Sequence, residues 1–297
     1  MENGDLILSY LQRWGVEYVF GVLGGSIEPF YNALARSERN KGIKSIVARH
    51  ETGAAFMADG YARETGKVGV CCSTAEPGAT NLLTGVACAY ADNIPMLVIS
   101  AQTSIEKFGR GALQDGSCAG INTVEIFNHC TRFNTLVSHS AQLEPKLLQA
   151  MSYARSNTPG PVHLSVPLDV MREAIEESRT VVGMRAFINH QVVPSQEAMQ
   201  LVLKELATKE KVTVVIGEGA AGAIGGIIAL IEARDWLFVT TPRAKGLVNH
   251  YHPLYRGLFG FAGHESAKDA LLPENAERVV VIGTALDEVS TSGWDDS

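Results

Sequence analysis

One acidic residue stands where a predicted strand gives way to a predicted helix. Glu51 lies in the segment Arg49-His50-Glu51-Thr52-Gly53. Open α/β sheets bind ligands at the carboxyl ends of their strands, so a carboxylate here can exchange a proton with a bound molecule. The alternative is a first-turn glutamate that only complements the helix dipole. His50 is either a ligand or a structural histidine.

Two glycine-containing turns also follow predicted strands. One is Leu23-Gly24-Gly25-Ser26, and the other is Ala75-Glu76-Pro77-Gly78-Ala79. The second turn leads into a helix, whose free N-terminus offers N–H donors. It lacks the lysine of a phosphate-binding loop, and the first turn does not match GxGxxG. We expect Glu51 and both turns to share one edge of a sheet.

Short β-branched runs alternate with amphipathic segments, which is typical of parallel sheets with crossover helices. One such helix is predicted over Glu51 to Thr65, with Gly66 closing it. The fold class is therefore α/β, with two doubly wound units. Each has a mainly parallel, six-stranded-type sheet flanked by helices, and the second unit is incomplete.

The predicted domains are residues 1–178 and 196–297, joined by a linker over residues 179–195. Ser195 is a good N-cap for the first helix of the second domain. The sequence closes on Ser292-Gly293-Trp294-Asp295-Asp296-Ser297, directly after a strand. We therefore expect a fragment of a longer polypeptide, with a truncated second domain.

Composition narrows the function classes. The 297 residues are 46% hydrophobic, enough for a sizeable core, and the net charge of −7 argues against a nucleic-acid surface. No signal peptide or membrane-length apolar run is visible. The five cysteines lack CxxC spacing, so we predict buried thiols, no metal site and a cytoplasmic location.

The turns, in this order and spacing, resemble the pyrimidine-binding domain of thiamine-diphosphate (ThDP) enzymes of the acetolactate synthase-like branch. The resemblance covers the whole first domain. It rests on Phe20-Gly21-Val22-Leu23-Gly24-Gly25, Arg49-His50-Glu51, Gly60-Tyr61-Ala62-Arg63, Pro77-Gly78-Ala79-Thr80-Asn81-Leu82, Gly85-Val86-Ala87, Asp92-Asn93-Ile94-Pro95, Gln102, Pro159-Gly160-Pro161-Val162 and Val166-Pro167-Leu168-Asp169-Val170.

The second domain is similar to the central domain of the same family. The matching stretches include Val215-Ile216-Gly217-Glu218-Gly219, His252-Pro253-Leu254-Tyr255 and Gly257-Leu258-Phe259-Gly260. In the synthases this domain holds FAD without redox chemistry. The resemblance therefore implies an FAD site at Gly217 and Gly219, although a plain strand-to-helix turn explains these glycines equally well.

The resemblance also implies roles in catalysis. Glu51 matches the glutamate that hydrogen-bonds the pyrimidine ring of ThDP. Gly24, Pro77 and Asn81 match positions around the cofactor. Gln114 matches a glutamine near the reacting carbon, and Gly25 leaves room for the acceptor substrate. Mg²⁺ and the cofactor's diphosphate would be bound by a domain that this sequence lacks.

The implied enzyme decarboxylates a small 2-oxo acid such as pyruvate and joins it to an acceptor, as in branched-chain amino acid biosynthesis. It would act as a homodimer or homotetramer, without nucleic acid or membrane partners. The small-residue helix from Glu51 to Ala62 would suit an interface between subunits.

Two stretches depart from the synthase pattern, with Leu113-Gln114 in place of Phe-Gln and Thr131-Arg132-Phe133-Asn134 in place of Thr-Lys-His-Asn. A decarboxylase, ligase or lyase of the same family therefore stays open. So does a non-catalytic dimerisation module.

Overall fold

A computed structural model describes residues 1–175, 194–207 and 211–294. Its internal contacts divide the chain into two compact units, Met1–Gln191 and Val192–Ser297. The predicted linker over residues 179–195 falls outside the described residues, apart from its last two.

The first unit is built on one six-stranded sheet. Its strands are β1 (Tyr18–Gly21), β2 (Lys44–Val47), β3 (Gly69–Ser73), β4 (Met96–Gln102), β5 (Phe133–Leu136) and β6 (Pro161–Pro167). They lie in the order β2-β1-β3-β4-β6-β5, and every pairing is parallel. Strands β3, β4 and β6 are buried along their whole length, as expected where helices cover both faces of a sheet.

Helices pack on both faces of this sheet. They are α1 (Asn3–Arg13), α2 (Glu28–Arg39), α3 (Glu51–Thr65), α4 (Glu76–Ala91), α5 (Thr123–Asn128), α6 (Ser140–Ala154) and α7 (Leu168–Arg172). Alternate strand residues enter two separate cores: Leu97 packs in the core of α1, α2 and α6, whereas Val98 packs in the core of α3 and α4. This arrangement confirms the predicted doubly wound α/β fold.

Helix α3 ends as predicted and packs very closely on α4. Gly66 has a φ of +68° and closes the helix. A Cβ added at Gly85 of α4 would lie only 2.6 Å from the Cβ of Ala55, so glycine is required for this approach. The buried small side chains of α3 are thus used inside the unit, and they give no support to the expected subunit interface.

The second unit carries a smaller sheet of the same kind. Its described strands are β7 (Val212–Ile216), β8 (Leu237–Thr240), β9 (Tyr255–Leu258) and β10 (Arg278–Ile282). They lie in the order β10-β7-β8-β9, all parallel. This sheet has four described strands, against six in the first unit.

Three helices of the second unit are described: α8 (Gln196–Ala207), α9 (Ile224–Arg234) and α10 (Glu265–Asp269). The Ser195 hydroxyl accepts the N–H of Ala198 at 3.1 Å, which confirms the predicted N-cap. None of the helices in the described parts of either unit is long and apolar enough to cross a membrane.

Candidate active site

The strand order brings Glu51 and the two predicted turns together. Strands β2, β1 and β3 are neighbours, and they lead respectively into Glu51, Gly24 and the turn before α4. The chain winds outward from β1 in one direction to β2 and in the other to β3. Such a reversal opens a crevice at the carboxyl ends of the strands, which is where doubly wound sheets bind ligands.

Glu51 is buried at this edge. It is the first residue of α3 and is 8% exposed. Its Oε2 accepts a hydrogen bond from Nδ2 of Asn81 at 3.0 Å. A Cβ at Gly78 would lie 3.2 Å from its Oε1. A glutamate that only complements a helix dipole usually faces water. The Glu51 carboxylate is instead buried and accepts a hydrogen bond from Asn81.

His50 has a structural role. It is the N-cap residue of α3, and its Nδ1 accepts the N–H of Thr52 at 3.2 Å. The imidazole itself is exposed. The contacts support a structural histidine and not a ligand. As the N-cap, His50 fixes the start of the helix that carries Glu51.

Asn81 is fixed from two sides. Its side chain donates to Glu51, while its backbone carbonyl accepts the hydroxyl of Thr52 at 2.6 Å. Two adjacent residues of α3 therefore bind one residue of α4. The sequence placed Asn81 in the pocket but did not show the role of Thr52, because that bond depends on how the two helices pack.

Gly24 lies against Thr74, the residue that follows β3. A side chain at Gly24 would overlap that of Thr74. The Oγ1 of Thr74 is buried and has no hydrogen-bond partner, and a buried hydroxyl without a partner is costly unless a ligand satisfies it. Pro77, near the start of α4, is half-buried beside this turn.

Gly25 and Gln114 lie at the same edge of the sheet. A Cβ at Gly25 would meet no atom within 4 Å, so the space beside it is open. Gln114 lies in the loop between β4 and α5 and has a φ of +57°. This left-handed conformation is uncommon for residues with a side chain.

Gly217 and Gly219, in the second unit, pack against the chain itself. A Cβ at Gly217 would overlap the carbonyl of Gly283, and the N–H of Gly219 donates to that same carbonyl at 2.9 Å. Both glycines are thereby explained by the close approach of β7 and β10. They do not form an open cradle of free N–H groups.

The charges beside this turn are mixed. Arg243 lies 3.7 Å from Glu218 and 3.7 Å from Asp287. Hydrogen bonds from Ser290 lower the pKa of Asp287, and Arg243 contributes further. One guanidinium thus faces two carboxylates, which is a poor environment for a diphosphate.

A buried polar network was not anticipated from the sequence. His163 of β6 is fully buried, with Nε2 at 2.7 Å from Oγ of Ser100 and Nδ1 at 2.7 Å from Oδ1 of Asn134. Its ring stacks on Phe127 at 4.2 Å. The sequence feature that indicates such a network is a histidine, His163, within the otherwise largely apolar strand β6. Because the network links β4, β5 and β6 below the surface, we assign it a structural role.

Comparison with protein families gives two matches of one kind. Residues 1–121 match the model of the thiamine pyrophosphate enzyme N-terminal TPP binding domain. Residues 199–297 match the model of the thiamine pyrophosphate enzyme central domain. The two matches fall in the first and second structural units respectively.

Individual relatives agree with these matches. The chain is 37% identical over 289 residues to an acetolactate synthase of Arthrospira platensis, covering 95% of this chain and 49% of the relative. It is 33% identical over 290 residues to the acetolactate synthase isozyme 2 large subunit of Escherichia coli, covering 97% and 50%. It is 34% identical over 256 residues to a probable 2-ketoarginine decarboxylase of Pseudomonas aeruginosa, covering 86% and 44%.

The chain thus spans about half the length of the curated relatives it matches. The two domain matches lie in the order in which the family's N-terminal and central domains are expected, and the first covers Glu51, Gly78 and Asn81. The chain belongs to the thiamine pyrophosphate enzyme family.

Proposed function

We propose that this chain is the N-terminal part of a ThDP-dependent, acetolactate synthase-like enzyme that acts on 2-oxo acids. The observation that carries the proposal is the buried carboxylate of Glu51, held by Asn81 at the crevice between β1 and β3. The partnerless hydroxyl of Thr74 and the open space at Gly25 also fit a polar ring bound there.

The chain's own residues would bind and orient the pyrimidine ring of ThDP. When bound, ThDP supplies the electron sink that decarboxylation of a 2-oxo acid requires. Glu51 exchanges a proton with the ring through Oε1, since Oε2 is engaged by Asn81. Gly24 and Pro77 would shape the wall of the pocket, and Gln114, in the loop after β4, would lie near the substrate.

The remaining parts of the proposal concern the whole enzyme. The substrate is a small 2-oxo acid, and the assembly is a homodimer or homotetramer in the cytoplasm. Mg²⁺ and the cofactor's diphosphate would be bound by the further domain that the resemblance implies. Residues 1–175, 194–207 and 211–294 contain no group of three His, Cys, Asp or Glu side chains able to hold a metal ion.

The test is Glu51→Gln in the full-length enzyme. We expect at least a 100-fold loss of CO₂ release from pyruvate, because an amide cannot exchange the proton. Glu64→Gln is the matched control, since Glu64 is an exposed acid on the same helix. Unchanged turnover with Glu51→Gln would remove the assignment.

A second function is favoured by one comparison. The similarity to a probable 2-ketoarginine decarboxylase is close to that of the synthases. In a simple decarboxylase the product of the decarboxylated substrate is an aldehyde, whereas a synthase joins two 2-oxo acids. Chromatographic identification of the product from pyruvate distinguishes acetaldehyde from acetolactate.

FAD in the second unit remains a separate prediction, and the packing of Gly217 and Gly219 on Gly283 counts against it. We expect the purified full-length protein to lack flavin absorbance near 450 nm. Stoichiometric flavin in the purified protein would instead support the site implied by the resemblance.

A further inference from the structure

A buried glutamine anchors the loop that carries Gln114. This loop comprises residues 103–122, between β4 and α5. Gln102 is the last residue of β4 and is 1% exposed. Its Oε1 accepts the N–H of Thr103 at 2.9 Å and the N–H of Gly116 at 3.1 Å. One side-chain oxygen therefore ties the start of the loop to a residue 14 positions after Gln102.

Gly116 is clamped between Gln102 and helix α5. Its carbonyl accepts both the N–H of Thr123 at 2.9 Å and the hydroxyl of Thr123 at 3.1 Å. A Cβ at Gly116 would lie 2.8 Å from Cγ2 of Thr123 and 2.9 Å from Nε2 of Gln102. The side chains of Thr123 and Gln102 fill the space around Gly116, so a movement of Gln102 also moves Gly116.

Asp115 joins this anchor to the rest of the loop. Its two carboxylate oxygens accept the N–H groups of Ser117 and Gly109, each at 3.0 Å. Gln114 directly precedes it and holds a φ of +57°. A residue with a side chain seldom adopts this conformation, so neighbouring contacts must help to impose it.

We propose that Gln102 is a positioning residue, which acts through Gly116 to hold Gln114 in place beside the substrate. The inference rests on the proposed function, in which Gln114 lies near the reacting carbon. Gln102 itself is buried beneath the loop and has no direct role in the chemistry.

The experiment uses two variants of the full-length enzyme. Gln102→Met keeps the length of the side chain but removes the acceptor, while Gln102→Glu keeps an oxygen at the same place. Ser37→Ala is the matched control, because the Ser37 hydroxyl also accepts a backbone N–H, that of Ile43 at 2.9 Å, outside this loop. The readouts are amide hydrogen exchange, ThDP affinity and kcat.

We expect Gln102→Met to speed exchange of the Gly116 amide about tenfold, as loss of one hydrogen bond predicts. It should lower kcat about tenfold or more with ThDP affinity unchanged within twofold. Gln102→Glu should keep both the exchange rate of the Gly116 amide and kcat closer to those of the unsubstituted enzyme than Gln102→Met does. Ser37→Ala should change neither.

A double-mutant cycle separates positioning from general destabilisation. If Gln102 acts through Gln114, then Gln102→Met costs no further activity in a Gln114→Ala background. If the two substitutions together lower kcat by the product of their separate effects, the inference is overturned. Unchanged exchange of the Gly116 amide in Gln102→Met would overturn it as well. The exchange result is independent of the Glu51→Gln result, so failure of the proposed function and failure of the anchor are distinguishable.

Discussion

His163 places an imidazole in the interior of a parallel sheet. Burial lowers its pKa to about 3, and both ring nitrogens already have neutral partners in Ser100 and Asn134. Because Oδ1 of Asn134 accepts hydrogen bonds only, Nδ1 carries the proton and Nε2 accepts from Ser100. A single neutral tautomer therefore satisfies the whole network.

This arrangement predicts a pH-dependent stability. In the unfolded chain His163 binds a proton below about pH 6.5, whereas in the fold it does so only near pH 3. The contribution of neutral His163 to the free energy of unfolding is therefore complete above pH 6.5. It is lost as the pH falls toward 3, at up to ~1.4 kcal/mol per pH unit. Urea unfolding between pH 4 and 7 measures this slope, and His163→Gln should reduce it. Equal slopes in the two proteins would contradict the prediction.

The site residues differ in how far the sequence could predict them. Glu51 and Asn81 follow strand ends at recognisable turns, and the structure brings them into contact. The hydrogen bonds of Gln102 and Thr52 could not be predicted, since their partners become neighbours only after the elements pack. The local pattern thus predicts which residues lie at the crevice, whereas the contacts that hold them in place depend on tertiary packing.

At the scale of elements, the close contact between α3 and α4 depends on Gly85 and Ala55. Gly85 faces Ala55, whereas a Cβ at Gly60 of α3 would meet no atom within 4 Å. Alanine favours a helix over glycine by about 0.5–1 kcal/mol. The two glycines thus have the same local preference but opposite packing requirements.

Alanine at these two positions should have opposite effects. Gly85→Ala is expected to destabilise the first unit by about 1–3 kcal/mol, because the helices must separate. Gly60→Ala should stabilise it by about 0.5–1 kcal/mol. Chemical denaturation of both variants measures the difference, and equal stabilisation by both would show that the helices do not need glycine at Gly85.

The elements themselves were predicted unevenly. Helix α3 has the predicted bounds, because its cap residues mark both ends. Helix α6 begins at Ser140 and carries Pro145 inside it, although a proline usually marks the first turn of a helix. Strand β9 lacks a regular strand pattern in the sequence, because Gly257, with a φ of +112°, and a register shift against β8 interrupt it. Local signals therefore locate capped elements better than irregular ones.

At the scale of the whole molecule, the proposed function gives this chain one side of a cofactor site. Glu51, held by Asn81, would bind the ring of the cofactor, and the described residues contain no group of three His, Cys, Asp or Glu side chains able to hold a metal ion. We expect calorimetry with ThDP and Mg²⁺ to detect no binding to the 297-residue chain at 100 μM, since the diphosphate supplies most of the charge-based affinity. The full-length enzyme is the control. Tight binding by this chain alone would show that it contains the diphosphate site.

The order of the site residues along the chain has a consequence for recombination. The positions that we assign to the cofactor ring, from Gly24 to Asn81, follow β1, β2 and β3 in one continuous part of the chain, while Gln114 lies beyond β4. In this proposal a single crossover between α4 and β4 would separate the cofactor positions from Gln114, while Gly25 would stay with the cofactor positions. Chimaeras that exchange only residues 103–122 with a relative should inherit its substrate preference and retain the cofactor affinity of the parent.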